Sequence, residues 1–199
     1  MVLALVSTSL ATLISLVAVH TLEPRRVVLA LVLHSLTIGL LEAYYCLGKE
    51  AGELPYVVLS LLISSVVVPY LLLRLALGIT SAEERTPGWV TLASLSLLCL
   101  YAYIAVCPPA ELGKVALCAA SAAVPLLMVA SGRDPVRVLV GINMASNSLH
   151  PLLSEAPALL SLLSSVSMLL ANVIGVLVAL SAYREYGSPL IEGWAGWRS

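Results

Sequence analysis

Phenylalanine is absent from this sequence, aspartate occurs once and lysine occurs twice. Charged residues make up 11% of the chain, about half the share that a soluble domain carries. The net charge is −1, so the composition offers no basic surface for nucleic acid. With 60% hydrophobic residues and a mean hydropathy of +1.04, the chain is predicted to be a membrane protein.

Several kinds of catalytic site are excluded by the residues that are missing. The only lysines, Lys49 and Lys114, lie at the ends of apolar segments, where neither can bind retinal within the last helix. The single aspartate, Asp134, cannot form the aspartate pair of an intramembrane protease, and no GxSxG sequence of a serine hydrolase occurs. The four cysteines have no CxxC spacing, and no His, Cys or carboxylate cluster has metal-ligand spacing. We therefore expect a chain without a catalytic site, a metal or a cofactor of its own.

Long apolar segments separated by short polar ones are the most regular feature of the sequence. We predict an all-α fold with seven transmembrane helices, over residues 2–21, 27–47, 54–77, 89–107, 112–131, 136–153 and 158–183. Residues 1–187 are expected to form one transmembrane domain, and 188–199 a short cytoplasmic tail. Because no basic region precedes the first segment and no small-residue cleavage site follows it, we interpret it as a retained helix.

The charges between these segments indicate an orientation. If the chain crosses the membrane seven times, all eight arginines fall on one side, and Lys49 and Lys114 fall on the other. This is the split that the positive-inside bias predicts for a correct number of spans. The N-terminus is therefore expected outside the cell, the C-terminus in the cytoplasm, and the protein in the plasma membrane.

The sixth predicted helix carries several polar side chains inside an apolar segment. Asn143, Asn147 and His150 fall within a sector of about 60° if successive residues turn by about 100°. Each needs a partner in hydrocarbon, because an unpaired polar group there costs several kcal/mol. Interhelical hydrogen bonding is the first interpretation, and a hydrated path or proton relay is the second. Asn172 in the seventh helix is a candidate partner.

The second predicted helix adds two ionisable side chains, His34 near its middle and Glu42 nearer its external end. They are about 80° apart around the helix and so do not form a facing pair. An ionisable group at membrane depth is a candidate for ion movement. For Glu42, this role and a side chain that reaches the external headgroups both stay open. For His34, packing is the first interpretation and a relay the second.

Three stretches together resemble one family of membrane proteins. They are LHSL at 33–36, VVVPYLL at 66–72 and VGINMASNSLH at 140–150, and the tail at 183–190 adds a fourth likeness. Their pattern is similar to the E component of the hydrogenase-4 and formate hydrogenlyase group of membrane-bound nickel–iron hydrogenases. Part of that family is similar in turn to the small K subunit of respiratory complex I and to the C subunit of multi-subunit cation/proton antiporters.

The resemblance implies a non-catalytic subunit in the membrane arm of a complex-I-like hydrogenase or a related respiratory complex. Its partners would be the lipid bilayer and the other membrane subunits, which would carry the redox chemistry. Its role would be structural, with a share in lining a proton or sodium path. The candidate residues for that path are the polar groups already described: His34, Glu42, Asn143, Asn147, His150 and Asn172.

Two positions depart from the family pattern. The family's membrane glutamate falls at Ser146 and its membrane lysine at Ser64, and serine carries no charge. The resemblance therefore leaves His34 and Glu42 as candidate substitutes for the titrating pair, beside a purely structural role. The alternative is a stand-alone secondary transporter with a polar site on the sixth helix. Such transporters often contain inverted repeats, and we recognise none in this sequence.

Overall fold

The computed structural model describes residues 2–21, 23–47, 51–79, 86–107, 113–153, 156–188 and 190–191, and within them the regular structure is entirely helical. Seven long helices account for most of these residues. They are α1 (Val2–His20), α2 (Pro24–Leu47), α3 (Leu54–Gly78), α4 (Gly88–Val106), α5 (Gly113–Ser131), α6 (Pro135–Leu153) and α7 (Ala158–Tyr186).

Each of these helices lies in one of the segments predicted from the apolar pattern, and the bounds differ by three residues at most. The predicted start of the fifth segment, residue 112, lies outside the described residues, as do residues 189 and 192–199 of the predicted tail. Long apolar runs therefore predict the positions of these helices well, because little else in the chain competes with them.

Five of the helices, α2, α3, α4, α5 and α7, are long and apolar enough to cross a membrane. The apolar part of α1, Leu5–His20, is shorter. Large hydrophobic side chains are exposed on every one of the seven helices, which is the arrangement expected where lipid covers the outside. The fold is thus compatible with a multi-pass membrane protein.

The helix α6 occupies the centre of the described structure. Twelve of its 19 residues are buried, against three of 19 in α4 and five of 29 in α7. It packs mainly on α5 and α2, and also contacts α7, α3 and α1. Because its polar side chains face these neighbours, α6 can be less apolar than the helices that surround it.

A close approach of α5 and α6 depends on Gly141. A Cβ atom at this position would lie 2.9 Å from the carbonyl oxygen of Pro125 and 3.0 Å from Cβ of Met128. Only glycine allows two helix backbones to come this near, as small residues do at many helix contacts in membranes. The fully buried side chains of Met128 and Met144 belong to the apolar core formed around this contact.

The helix α3 contains a widened turn. Residues Ile63–Val67 are π-helical, and the N–H of Val68 donates to the carbonyl of Ile63, five residues earlier. The sequence predicts a distortion in the second half of this helix because of Pro69. The structure places it in the turn immediately before Pro69, where the proline ring crowds the preceding turn and removes one N–H donor.

Candidate functional site

Asn143 of α6 and Asn172 of α7 form a reciprocal pair of amides. Nδ2 of Asn143 donates to Oδ1 of Asn172 at 2.8 Å, and Nδ2 of Asn172 donates to Oδ1 of Asn143 at 2.9 Å. Each Nδ2 also donates to a carbonyl of its own helix, that of Leu139 at 2.6 Å or that of Met168 at 2.7 Å. All four amide hydrogens are therefore used, and the partner expected for the polar face of α6 is confirmed.

Asn147 lies one turn further along α6 and contacts a different helix. Its Nδ2 donates to Oγ of Ser35 in α2 at 2.8 Å, and both side chains are buried. The polar residues of α6 thus share a narrow sector but divide between two neighbours. Asn143 connects α6 to α7, and Asn147 connects it to α2.

Glu42 of α2 and His150 of α6 form a buried acid–imidazole pair. Nδ1 of His150 lies 3.3 Å from Oε1 of Glu42, and Ser161 of α7 donates to the same carboxylate oxygen at 3.0 Å. On the other side of the ring, Oγ of Ser164 lies 3.5 Å from Nε2. Glu42 and His150 are 6% and 5% exposed. The carboxylate therefore points into the bundle and does not reach outward to headgroups.

His34 belongs to a separate line of hydrogen bonds that crosses four helices. Its Nε2 lies 3.3 Å from Oγ of Ser148 in α6, which accepts a hydrogen bond from Ser121 in α5 at 3.4 Å. Ser121 accepts in turn from Thr12 of α1 at 2.9 Å. These four side chains are buried. Among the described residues, Nδ1 of His34 has no hydrogen-bond partner.

A second cluster of hydroxyl groups lies beside this line. The phenol oxygen of Tyr101 in α4 is 2.9 Å from Oγ1 of Thr8 and 3.0 Å from Oγ of Ser9. The sequence analysis predicted neither the line of hydrogen bonds from Thr12 to Ser148 nor the cluster around Tyr101. A signal was present, because Thr8, Thr12 and Ser15 follow one face of α1 at the i, i+4, i+7 spacing.

Two further serines join α3 to α7. Oγ of Ser60 lies 2.7 Å from Oγ of Ser165, and both are buried. Ser64, where the resembling family has a lysine, donates to the carbonyl of Leu61 in its own helix at 3.3 Å. Ser146, where that family has a glutamate, is half-buried.

At the other end of α6, Arg137 is buried although its position in the sequence suggests a solvated cation. It is 2% exposed, and its Nη2 donates to the carbonyl of Val19 at 2.8 Å, near the end of α1. The carboxylate of Asp134 accepts from the backbone N–H of Val136 at 2.7 Å and thereby caps the start of α6. This end of α6 is therefore fixed to α1 by a charged hydrogen bond.

The six residues predicted as an ion path are all buried, and the structure places them in four separate groups of contacts. Two of these contacts join predicted residues to each other, Asn143 to Asn172 and Glu42 to His150. In the other two, Asn147 contacts Ser35 and His34 contacts Ser148. Within the part of the chain that the structure describes, no group of three or more His, Cys, Asp or Glu side chains could hold a metal ion.

No protein-family model, curated protein or solved structure matches the chain. The function is therefore inferred from the helices and from the polar contacts buried between them. Within the described residues, those contacts provide hydrogen-bonding groups inside an apolar bundle and an acid–imidazole pair near the ends of α2 and α6.

Proposed function

We propose that this chain is a non-catalytic, seven-span subunit in the membrane arm of a complex-I-like assembly, a membrane-bound hydrogenase or a related respiratory complex. The observation that carries the proposal is the set of polar contacts along α2, α6 and α7, buried inside helices with apolar outward faces. The likeness of three sequence stretches to the E component of such hydrogenases supports the same assignment. The chain's role is to build the arm and to line part of an ion path.

The contacts at the helix ends support an orientation with the C-terminus in the cytoplasm. Arg137 at the start of α6 reaches the end of α1, and the backbone of Ile191 bonds to that of Arg133 between α5 and α6. The end of α1, the turn between α5 and α6, and Ile191 of the tail thus lie at the same end of the bundle, which the positive-inside bias assigns to the cytoplasm. Three residues of the charge count, Lys49, Arg85 and Arg198, lie outside the described residues.

Thiol labelling on intact cells tests this orientation. Gly52 and Glu185 are exposed at what we propose to be opposite sides of the membrane, so each is replaced by cysteine in a variant whose four native cysteines are alanine. A reagent that cannot cross membranes should label Gly52→Cys on intact cells and Glu185→Cys only after permeabilisation. The reverse pattern contradicts the orientation, and labelling of both from outside contradicts the number of spans.

The interior contacts favour a subunit over the transporter alternative. The amides of Asn143 and Asn172 are already occupied by one another, so they do not present free groups to a substrate. The cavity beside Glu42 measures about 20 Å³, which is room for about one water molecule. A site for an organic substrate would need several hundred Å³, so this cavity lends no support to substrate transport.

Extraction from the native membrane tests the parent assembly. After purification through an affinity tag in mild detergent, hydrogenase and antiporter-like subunits should remain bound and be identified by mass spectrometry. An unrelated multi-pass protein with the same tag, extracted from the same membrane, controls for non-specific capture. A clean homo-oligomer of this chain would contradict the proposal and return attention to transport assays.

A further inference from the structure

We infer that Glu42 and His150 form a proton-exchange site, which water reaches from the end of the bundle where α2 and α6 terminate. This deepens the proposed function by naming the ion and the residues that bind it, and its physiological meaning rests on that function. The inference is carried by the acid–imidazole geometry together with a cavity that touches the same carboxylate.

The pair lies close to the helix ends but inside the protein. Glu42 is five residues before the end of α2, and His150 is three residues before the end of α6. At about 1.5 Å per residue, both lie about 5–8 Å below those ends. A proton therefore has only a short distance to travel from the membrane surface to the pair.

The cavity beside Glu42 supplies the access. It is lined by Glu42 and Ser161, and by Glu53 in the turn that precedes α3. Its volume of about 20 Å³ accommodates one water, which would find polar partners in the two carboxylates and the serine hydroxyl. Glu53, which accepts a hydrogen bond from the backbone N–H of Ala158 at 3.4 Å, is half-buried, whereas Glu42 is buried.

The arrangement of donors selects a proton over a metal cation. Oε1 of Glu42 faces two hydrogen donors, the hydroxyl of Ser161 at 3.0 Å and the ring nitrogen of His150 at 3.3 Å. In the proposed state, with a hydrogen on Nδ1 of His150, both donors direct hydrogen atoms at the oxygen, where they repel a sodium ion. A sodium site would instead surround the ion with oxygen acceptors. The hydrogens that repel sodium are the ones that a proton relay uses.

The other titratable groups close to the pair are few within the described residues. Glu53, Tyr45 and Cys46 line the same cavity, and the buried imidazole of His34 lies eight residues before Glu42 on α2. The contacts from α7 come from serines, which stay neutral. The charge state of the site is therefore governed mainly by its own carboxyl and imidazole.

Exchange at this site needs no other chemistry. In the first state, the carboxylate of Glu42 accepts a hydrogen bond from Nδ1–H of an imidazolium at His150, whose Nε2 also carries a hydrogen. A proton delivered through the water in the cavity converts this carboxylate to a neutral carboxyl beside the same imidazolium, and its release to that water restores the first state. Only O–H and N–H bonds form and break, and no electrons are transferred.

Labelling with dicyclohexylcarbodiimide, which reacts with protonated carboxyl groups in apolar surroundings, tests the site on the full chain in its native membrane. We expect a Glu42 adduct, measured by mass spectrometry, whose amount falls as the pH is raised, because only the protonated carboxyl reacts with the reagent. Glu23, an exposed carboxylate paired with Arg26 at 2.7 Å, is the internal control and should stay unlabelled.

Variants separate this site from a fixed structural pair. In His150→Gln, the carboxyl loses its cationic partner, so its labelling at about pH 8 should rise about tenfold above that of the native chain. Ser161→Ala removes only one hydrogen bond and should raise labelling in the same direction by less. It also preserves the test if the histidine variant does not accumulate. Native labelling that is independent of pH, or variants that label like the native chain, would overturn the inference.

Sodium provides the test of ion identity. Replacing choline by sodium during labelling should leave the Glu42 adduct unchanged, because no cation competes with the reagent. Protection by sodium would overturn the assignment of a proton. Co-purification decides the parent assembly independently, so a failure of that proposal and a failure of this site give different results.

Discussion

Replacing Asn143 alone by leucine is expected to destabilise the protein more than replacing Asn143 and Asn172 together. The single change leaves Asn172, which is 1% exposed, without its partner on α6. A buried polar group that loses its partner costs about 1–3 kcal/mol, and membrane interiors tend towards the lower end of that range. The double replacement removes both amides and leaves two apolar side chains in contact.

The comparison is made by unfolding in mixed micelles with increasing dodecyl sulfate, for the native chain, both single variants and the double variant. The interaction free energy then follows from the double-mutant cycle. Ser167→Leu on the exposed side of α7 is the matched control, and its free energy of unfolding should stay within about 0.5 kcal/mol of the native value. If the two single losses in the free energy of unfolding add up to the loss in the double variant, the amides act independently. That result would contradict a stabilising interaction between Asn143 and Asn172.

Replacing Gly141 by alanine is expected to have the second large effect. The new Cβ would lie 2.9 Å from the carbonyl oxygen of Pro125 and 3.0 Å from Cβ of Met128. Neither neighbour can rotate away, since one is a backbone atom and the other is attached directly to the backbone. The helices α5 and α6 must therefore move apart, at a cost of about 1–3 kcal/mol.

Thermal denaturation in detergent, followed by the loss of the native peak in size-exclusion chromatography, measures this effect. Gly78→Ala is the matched control, because its Cβ would meet only Cδ2 of Leu180, at an ordinary distance of 3.8 Å. The control should keep native stability, whereas Gly141→Ala should denature at a lower temperature. Equal stability of the two variants would mean that the contact of α5 with α6 is looser than the structure has it.

The two large effects both involve α6, whose bounds along the chain were predictable from the sequence but whose neighbours in the bundle were not. The apolar runs predict where the helices begin and end, and the spacing of Asn143, Asn147 and His150 predicts a buried polar face. The pairing of His150 with Glu42 is different, because a single sequence does not reveal which helices are neighbours. Only the similar distance of both residues from their helix ends hinted at it.

Other features of the structure could not be predicted from the sequence, because the usual sequence rules either indicate a different arrangement or leave it unspecified. Arg137 follows a polar turn and fits the positive-inside count, yet its guanidinium is buried against the end of α1. The hydroxyl contact of Thr12 with Ser121 joins residues of types that occur widely in membrane helices, so their identity alone says little. Pro69 signals a disturbed helix but does not specify that the turn before it is widened.

That widened turn has a consequence for the ancestry of the chain. Adding one residue to a regular α-helix rotates everything beyond it by about 100°. A π-turn absorbs such an insertion locally, so Ser60 still faces Ser165 while Leu72 and Leu75, beyond the turn, stay in the core. A homologue one residue shorter between Ser60 and Leu72 could therefore run as an uninterrupted α-helix with the same neighbours on both sides. An alignment of such sequences should place its gap within Ile63–Val67, where the length of the chain can change without altering the bundle.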